Sequence, residues 1–340
     1  MQPRIDDVAH EAGVSTATVS RVLNDFPVRE ATRKKVEAAI KKLNYSPNYM
    51  AKGLMSQKSF SVGVLVPTLS NHYFTEIVEA LEDRLRSYNQ MVLLCSTKDD
   101  PAREKEHVRN LITRRVDGVI IVDGTSENSR NGFFQEISAH TPLIVINGDT
   151  EGVPLNTVLT DQEEGMELSL DYLFHLGHRR IAFVRGKRGF SYDQKERIFR
   201  HYFEKKKIEL DENCIVEIPY GNTEESITMT EEKMNKLLST PQRPTAIFAC
   251  NDLMAMGVVN AAEKLHLDIP GELSVMGHDN TLVSKMGKIT FTSVDIKKQT
   301  LGTTSADMLI QIMQEKDSEP RRLIFHPEII DRGSCTYLHS

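Results

Sequence analysis

The chain has 340 residues, of which 39% are hydrophobic, and its formal net charge at pH 7 is −6. This length exceeds what one hydrophobic core usually supports, so we expect two or three domains. No stretch approaches the roughly 18 consecutive apolar residues of a membrane-spanning helix, and the N-terminal segment is polar rather than secretory. The composition therefore excludes an integral membrane protein, and we expect a cytoplasmic protein with no membrane partner.

The charge is distributed unequally. Residues 1–58 hold ten Lys and Arg against six Asp and Glu, and the rest of the chain carries a net −10. Positive charge is thus concentrated where it could meet phosphates, while an acidic remainder would discourage non-specific adhesion. The distribution predicts nucleic-acid binding at one end only.

The first residues predict a helix, a tight turn and a second helix. Ile5, Val8, Ala9 and Ala12 have the spacing of one helix face, and Gly13 can take the left-handed conformation that ends such a helix.

The second helix has an outer face suited to DNA. Ser15 can cap its start by accepting a hydrogen bond from a free backbone N–H, and Val19, Val22 and Leu23 point inward. The outer face presents Thr16, Ala17, Ser20 and Arg21. An arginine can bind guanine and small apolar groups can contact a thymine methyl, so this face predicts reading of the major groove.

Two further helical segments follow. One runs from about Arg29 to Asn44 with a basic outer face, for which phosphate contact and plain solvation are both open. The other begins at Pro47 and Asn48. It contains Gly53 and should be marginal in isolation, so its folding needs an outside partner.

From residue 61 the pattern changes to alternating strands and amphipathic helices. The predicted strands are Ser61–Val66, Met91–Ser96, Gly118–Val122, Leu143–Asn147, Ile181–Val184, Ile215–Ile218, Ala246–Asn251 and Ser274–Gly277. The predicted helices include Phe74–Tyr88, Glu163–Leu176 and Leu253–His266. Such alternation predicts an α/β sensor of two doubly wound parallel-sheet subdomains, like a periplasmic binding protein, behind an all-α helix-turn-helix domain. Its ligand site would lie at the carboxyl ends of the strands, in the cleft between the subdomains.

We expect the domain limits as follows. The DNA-binding domain spans residues 1–46, and a hinge helix and linker span 47–60. The sensor N-subdomain spans 61–160 plus about 292–322, and the C-subdomain spans 161–291 plus about 323–340.

Several motifs in this order resemble the lactose-repressor/galactose-repressor family of bacterial transcription regulators. They are Asp7-Val-Ala, Ala12-Gly-Val-Ser-Thr-Ala-Thr-Val-Ser-Arg-Val-Leu-Asn24, Thr32-Arg-Lys-Lys-Val, Leu43-Asn-Tyr-Ser-Pro-Asn48, Arg115-Val-Asp-Gly-Val-Ile-Ile, Leu176-Gly-His-Arg-Arg-Ile-Ala, Arg243-Pro-Thr-Ala-Ile-Phe-Ala-Cys-Asn-Asp-Leu-Met-Ala-Met-Gly257 and Ser274-Val-Met-Gly-His-Asp-Asn280. The resemblance covers nearly the whole chain.

The resemblance implies a homodimeric transcription regulator on a near-palindromic double-stranded DNA operator. By similarity Thr16, Ala17 and Arg21 would read bases, and the residues holding sugar-phosphate would be Ser15, Ser20, Asn24, Thr32 and Asn48. In the hinge helix Leu54, flanked by Ala51 and Lys52, would wedge into the central minor-groove step. Leu54 as a linker core residue, Asn24 as a helix end and Arg21 without a base contact are the open alternatives.

The resemblance also implies a small-molecule effector, a sugar or sugar derivative, in the cleft. The matching positions are Tyr73, Phe74, Ser191, Asp193, Arg197, Tyr220, Asn251 and Asp279. Asp279 and Arg197 could instead form a structural ion pair, and Tyr73 and Phe74 could simply pack between subdomains. Three departures concern the effector: His278 replaces a usual aromatic, Ile296 replaces a glutamine that several members have, and Lys187 and Arg188 make one turn basic. The basic turn could favour an acidic or phosphorylated sugar, or it could simply be an exposed turn.

Other chemistries are set aside. His175 and His178 lie at a helix end marked by Gly177, which favours a cap over a metal pair. No phosphate loop or serine nucleophile elbow occurs, and the four cysteines form no C-x-x-C pair. We therefore expect no metal, no cofactor and no enzymatic activity. A solute-binding protein and a sugar kinase on the same scaffold remain the rivals, and the absence of a further leucine heptad favours dimers over tetramers.

Overall fold

The structure, a computed structural model, describes residues 3–23, 26–45, 58–315 and 319–338. The chain divides into two compact units, Met1–Phe60 and Ser61–Ser340. Among the described residues, none of the helices combines the length and the apolar character needed to cross a membrane.

Within its described residues, the first unit is a bundle of three helices, α1 (Ile5–Ala12), α2 (Thr16–Leu23) and α3 (Glu30–Leu43). Gly13 ends α1 with φ of 64°, in the left-handed region, as its position predicts. The small core consists of Val8, Ala9, Ala12, Val19, Val22, Val36 and Ala39, with Ile5 and Leu23 half-buried against it. These are the inward positions that the helical spacing gives, because one face of each helix is apolar.

The second unit alternates strands and helices. Its strands are β1 (Ser61–Val66), β2 (Met91–Ser96), β3 (Gly118–Val122), β4 (Leu143–Ile146), β5 (Asn156–Thr160), β6 (Ile181–Gly186), β7 (Ile215–Ile218), β8 (Ala246–Ala249), β9 (Ser274–His278), β10 (Thr292–Asp295), β11 (Arg322–Phe325) and β12 (Glu328–Ile330). Its helices are α4 (His72–Ser87), α5 (Pro101–Thr113), α6 (Ser126–Arg130), α7 (Phe133–Ser138), α8 (Gln162–His175), α9 (Phe190–Lys206), α10 (Glu225–Leu238), α11 (Asp252–Lys264) and α12 (Lys298–Gln314).

The strands form two six-stranded sheets with the same winding. The first has the order β11-β5-β4-β3-β1-β2, and the second has the order β12-β10-β9-β8-β6-β7. All pairs are parallel except β10 with β12, where Val294 stands opposite Ile329. The predicted architecture of two doubly wound parallel-sheet subdomains is confirmed, with one antiparallel edge that the pattern did not predict.

All eight predicted strands are present, and β5, β10, β11 and β12 were not predicted. β5 and β10 are buried but rich in polar residues, so they lack the apolar runs that marked the others. In β10 the hydroxyls have partners: Ser293 donates to Asp252 Oδ1 at 2.6 Å, and Thr292 donates to Asp331 Oδ1 at 3.0 Å. In β5 the Thr160 hydroxyl donates to the Ile296 carbonyl at 3.0 Å, whereas the buried Thr157 hydroxyl has no partner among the described residues. β11 and β12 are short, largely exposed edge strands.

The expected limits of the subdomains need correction at two places. Residues 292–295 were assigned to the N-subdomain, but β10 pairs with β9 in the second sheet. Residues 323–325 were assigned to the C-subdomain, but β11 pairs with β5 in the first sheet. The chain therefore crosses between the sheets after Thr160, after Asp295 and after Phe325. Both β10 and β11 take the partners of their backbone hydrogen bonds from the adjacent strand of the sheet that they join.

Helices cover the faces of both sheets. In the first sheet α12 lies against α4, and Gly302 allows the close approach because a Cβ there would stand 2.7 Å from Ala80 Cβ. In the second sheet α11 lies against α10. This layering leaves the carboxyl ends of the strands uncovered by helices.

Candidate functional site

The outer face of α2 in the first unit carries the predicted base-reading residues. Thr16, Ala17 and Arg21 are exposed, while Val19 and Val22 on the opposite face are buried. Ser20 on α2 and Thr32 on α3 are half-buried. The helix thus presents one arginine among short side chains, as a major-groove surface requires.

Ser15 holds the start of α2. Its Oγ accepts a hydrogen bond from the Thr18 N–H at 3.2 Å and lies 2.9 Å from the Thr18 hydroxyl. This is the predicted N-cap, which satisfies one of the free N–H groups of the first turn.

The remaining predicted DNA contacts are Asn24, Asn48, Ala51, Lys52 and Leu54. All five lie outside the described residues, as does most of the predicted hinge. Their roles remain predictions.

The second unit contains a cleft of about 1430 Å³ where the two sheets face each other. Its walls come from segments that follow β1, β2, β3 and β4 of the first sheet and β6, β7, β8 and β9 of the second. The cleft therefore lies at the carboxyl ends of parallel strands, where ligands bind in this class of fold.

Four of these strands end in an Asp or Asn in the left-handed region. Asp99, Asp123 and Asn147 follow β2, β3 and β4 with φ of 56°, 51° and 55°, and Asp279 follows β9 with φ of 95°. Asp and Asn tolerate this conformation better than other side-chain-bearing residues. The turn that ends each strand thereby brings a carboxylate or an amide to the cleft wall.

One wall of the cleft is held by a hydrogen-bond chain. Asn147 Nδ2 donates to the Tyr73 hydroxyl at 2.7 Å, and Asn147 Oδ1 accepts from the Thr160 N–H at 2.9 Å. All three residues are buried. Since burial and the nearby Asp123 raise the pKa of Tyr73, its phenol stays neutral.

The opposite wall centres on Asn251, the N-cap of α11, whose Oδ1 accepts from the Met254 N–H at 3.0 Å. Its Nδ2 donates to the Gly221 carbonyl at 2.7 Å. Asn222 Oδ1 accepts from the Tyr192 hydroxyl at 3.0 Å. These bonds fix the directions of the polar groups before any ligand arrives.

Two carboxylates dominate the electrostatics of the cleft floor. Burial and the neighbouring Asp99 raise the pKa of Asp123 to about 7. Burial likewise raises the pKa of Asp279 to about 6, although Lys195 and Lys298 partly offset the rise. Like charges and desolvation both disfavour ionisation, so the cleft floor tends to hold a proton.

Six of the eight predicted effector residues line the cleft: Tyr73, Ser191, Asp193, Tyr220, Asn251 and Asp279. Tyr220 is 59% exposed and stands at the mouth. The carboxylate of Asp193 already forms an ion pair with the buried Arg185, which also pairs with Glu196.

Phe74 and Arg197 do not line the cleft, and the sequence assignment of both is corrected. Phe74 is fully buried in the hydrophobic core and contacts the ring of Tyr73 edge-on. Arg197 is exposed on α9. The buried face of α9 contains Tyr192, Lys195 and Phe199, and two residues on a helix turn the side chain through about 200°. Lys195, rather than Arg197, therefore reaches the cleft.

The sequence analysis missed Lys195, Asp99, Asp123 and Asn147. A signal for the last three existed, because each is an Asp or Asn close behind a predicted strand, and for Asp123 and Asn147 that strand is fully buried. The signal for Lys195 was its spacing of three and four from Tyr192 and Phe199, which puts it on the inner face of α9.

The three departures from the family pattern lie at different depths. Ile296 lines the cleft. His278 is 1% exposed, its ring faces Phe248 edge-on, and burial lowers its pKa well below the usual value. It is therefore a neutral core residue. Lys187 and Arg188 are exposed at the mouth.

Two contacts join the subdomains across the cleft. Asn71 Nδ2, at the start of α4, donates to Asn222 Oδ1 at 3.0 Å. The buried Lys298, at the start of α12, donates to the carbonyls of Asp279 and Asn280, and its Nζ lies 3.4 Å from Glu76 Oε2. Any opening of the cleft must break or rearrange them.

Comparisons with known proteins agree with both units. A model of bacterial regulatory proteins of the lacI family matches residues 4–48, and a model of a periplasmic binding protein-like domain matches residues 170–335. The HTH-type transcriptional repressor PurR of Vibrio atlanticus (strain LGP32) is 31% identical, with 98% of this chain and 99% of the relative covered. The HTH-type transcriptional regulator DegA of Bacillus subtilis (strain 168) is 30% identical, with 100% of both covered. The crystal structure of the lac repressor dimer bound to operator and the anti-inducer ONPF is 28% identical with a TM-score of 0.83, covering 99% of this chain and 100% of that one.

Proposed function

This chain belongs to the lacI family of bacterial regulatory proteins and is a DNA-binding transcription regulator. From that premise we propose that the protein represses target genes and that a small cytoplasmic metabolite, bound in the cleft, controls this repression. The observation that carries the proposal is the coexistence of two sites in one chain. An exposed arginine-bearing recognition helix lies in the first unit, and a preorganised polar cleft lies in the second.

For the DNA half, we propose that each subunit of a homodimer places α2 in one half-site of a near-palindromic operator. Thr16, Ala17 and Arg21 would contact base edges, since they are the exposed side chains of that helix. Ser15, Ser20, Asn24, Thr32 and Asn48 would hold sugar-phosphate. Such backbone contacts set the register of the protein, and the base contacts set the sequence preference.

The proposed hinge joins the two halves. Leu54, flanked by Ala51 and Lys52, would insert into the central minor groove and unstack a base step. Gly53 keeps the segment marginal as an isolated helix, so its folding would depend on DNA and on the state of the sensor. The domain limits expected for residues 1–46 and 47–60 are part of this proposal.

For the sensor half, we propose a sugar or sugar derivative as the effector. Asn251, Asp279 and Tyr73 line the cleft with directional polar groups, which suit a ligand rich in hydroxyl groups. Ser191, Asp193 and Tyr220 would contact it nearer the mouth.

The chain passes three times between the two subdomains, so ligand binding in the cleft can be coupled to the arrangement of the subdomains. A ligand that contacts both walls favours one arrangement of the subdomains, and the contacts of Asn71 and Lys298 across the cleft would change with it. A few kcal/mol of differential binding is enough to shift such a two-state equilibrium strongly.

The test is an operator selection with the full chain on genomic fragments at two salt concentrations, followed by titration with a metabolite panel. We expect salt-sensitive binding to a near-palindromic site and a change in its affinity on addition of one sugar-like ligand. A ligand that binds the cleft without changing DNA affinity would contradict the proposed control.

A further inference from the structure

The charges that line the cleft are not balanced. Nine carboxylate side chains line it against five lysines and arginines. The positive side chains Lys187 and Arg188 are exposed at the mouth, while Asp279 is only 7% exposed. The basic turn therefore does not make the floor a site for an acidic ligand.

The carboxylate of Asp279 has no hydrogen-bond partner among the residues that the structure describes. The imidazole ring of His278 lies beside it, but its Nε2 is 4.0 Å from Asp279 Oδ1, which is beyond hydrogen-bond distance. Since the pKa of His278 is lowered well below its usual value, that ring carries no charge to offset the carboxylate. An aspartate that is nine-tenths buried and faces open cleft volume is unsatisfied without a ligand.

Asp123 on the other wall also lacks a partner, although it is only half-buried. It lines the cleft at the end of β3, and within the described part of the chain its carboxylate accepts no hydrogen bond. Asp279 is one of the charges that raise its pKa, together with burial and Asp99. Both carboxylates line the same cleft, and the negative charge of one disfavours ionisation of the other.

The buried lysines do not neutralise this pair. Lys195 Nζ donates to the Cys250 carbonyl at 3.1 Å, and Lys298 Nζ donates to main-chain carbonyls and lies beside Glu76. Both lower the pKa of Asp279 from a distance, yet its pKa remains about 6. With pKa values of about 7 and 6, Asp123 and Asp279 hold a proton readily, and a bound cation could take the place of that proton.

We propose that the effector carries a protonated amine beside its hydroxyl groups, as an amino sugar does, and that the carboxylates of Asp123 and Asp279 bind this amine. The inference rests on the proposed function of the cleft and narrows it. A neutral sugar could form hydrogen bonds with both groups, but it would bring no positive charge to stabilise them in the ionised form. A sugar acid or phosphosugar would bring further negative charge.

The first experiment compares matched ligands on the full chain. D-glucosamine, D-galactosamine and D-mannosamine are each titrated by calorimetry beside the parent sugar and the N-acetyl derivative. We expect at least one amine to bind at least tenfold more tightly than both of its neutral counterparts. The inference is overturned if no amine binds, or if a parent or N-acetyl sugar binds as tightly as the amine.

The second experiment removes the charges singly. With the amine found above, Asp123→Asn and Asp279→Asn should each weaken binding at least tenfold. Glu127→Gln, which removes an exposed carboxylate at the cleft mouth, should change it less than twofold. Equal losses in all three variants would assign the effect to the overall charge of the cleft and overturn the roles of the two aspartates.

A third readout is the proton balance. Binding of an ammonium group should lower the pKa of Asp123 and release its proton near pH 7, whereas the charges of Asp99, Lys195 and Asp279 around it stay in place. Calorimetry in two buffers with different ionisation enthalpies should report proton release with wild type and much less with Asp123→Asn. Equal proton release in the two proteins would contradict the inference.

The outcomes separate this inference from the proposed function. A neutral sugar that binds the cleft and changes operator affinity would leave the proposed function standing and end the amine inference. An amine that binds through Asp123 and Asp279 without changing operator affinity would do the reverse.

Discussion

The two binding surfaces of this chain are built in opposite ways. In the first unit the predicted DNA contacts Thr16, Ala17 and Arg21 are exposed and lie on one helix, so the periodicity of about two helical turns defines them. In the second unit Tyr73, Asp123 and Asp279 are spread over more than 200 residues of the sequence. They line one cleft only because the two sheets bring the ends of their strands together. A surface of the first kind can be altered one side chain at a time, whereas the second kind depends on the whole fold.

The largest expected effect concerns the cleft. Asp279→Ala should abolish the response to the effector, with at least a hundredfold loss of ligand affinity, because it removes a buried carboxylate that faces the ligand space. Calorimetry with the full chain measures this, and DNA binding without ligand serves as the folding control. Ligand binding with unchanged affinity would remove Asp279 from the site.

The corresponding change on the DNA surface should be graded rather than total. Arg21→Ala should lower specific operator affinity by about 1–3 kcal/mol and relax the base preference at one position, the amount that one good base contact contributes. Lys35→Ala, another exposed basic residue, is the matched control. It should weaken binding similarly on all sequences. An operator selection in which Arg21→Ala keeps full selectivity would refute a base contact.

The stability of the second unit should depend on pH through Asp123 in the cleft. The pKa of Asp123 is about 7 in the folded chain against its usual 3.8. The folded state therefore holds this proton more tightly, and the free energy of unfolding falls between about pH 4 and pH 7. In Asp123→Asn this loss should be absent, so the variant should gain about 2 kcal/mol over wild type by pH 8, allowing for partial exposure.

Urea unfolding at pH 4, 6 and 8 measures this difference, with Glu127→Gln as the control. Stability curves for wild type and Asp123→Asn that stay parallel over this range would show that Asp123 titrates normally.

The hinge prediction concerns residues outside the described part of the chain. Leu54→Ala should weaken specific binding about tenfold, or ~1.4 kcal/mol, and reduce DNA bending, because alanine is too short to separate stacked bases. Circularly permuted operator fragments in a gel assay report the bend. Bending equal to that of wild type would rule out the wedge.

The smallest expected effect is on the cap of α2. Ser15→Ala should destabilise this helix by about 1 kcal/mol, since Ser15 Oγ accepts from the Thr18 N–H. Ser15→Asp should keep the cap but weaken DNA binding by repelling phosphate. Hydrogen exchange of the α2 amides in the full chain separates the two effects. Unchanged exchange in Ser15→Ala would mean that the cap contributes nothing measurable.

The difference between the two surfaces also explains what could be predicted from the sequence. Gly13, Ser15 and the inward valines of α2 act through neighbours within a few residues, so their spacing was sufficient. The strands β5 and β10 were not predicted because their polar residues, such as Thr157 and Ser293, are buried by sheet pairing rather than by apolar character.

The prediction of the cleft residues failed where the three-dimensional arrangement decides which side chains reach the cleft. Alignment by family resemblance selected Arg197, but the helix phase set by Tyr192 and Phe199 turns Lys195 inward instead. Phe74 was selected with Tyr73, although adjacent helical residues point about 100° apart. Asp123 was overlooked because its partner charges, Asp99 and Asp279, come from other strands. Only the three-dimensional arrangement reveals that these carboxylates share one space.

The central claim is that occupancy of the cleft controls the affinity of the recognition helix for its operator. The most direct measurement is fluorescence anisotropy of the full chain on its selected operator, with and without saturating effector, repeated with Asp279→Ala. The account predicts at least a tenfold ligand-dependent change in operator affinity for wild type and none for Asp279→Ala. Equal operator affinity of wild type with and without bound ligand, or an identical response in both proteins, would contradict it.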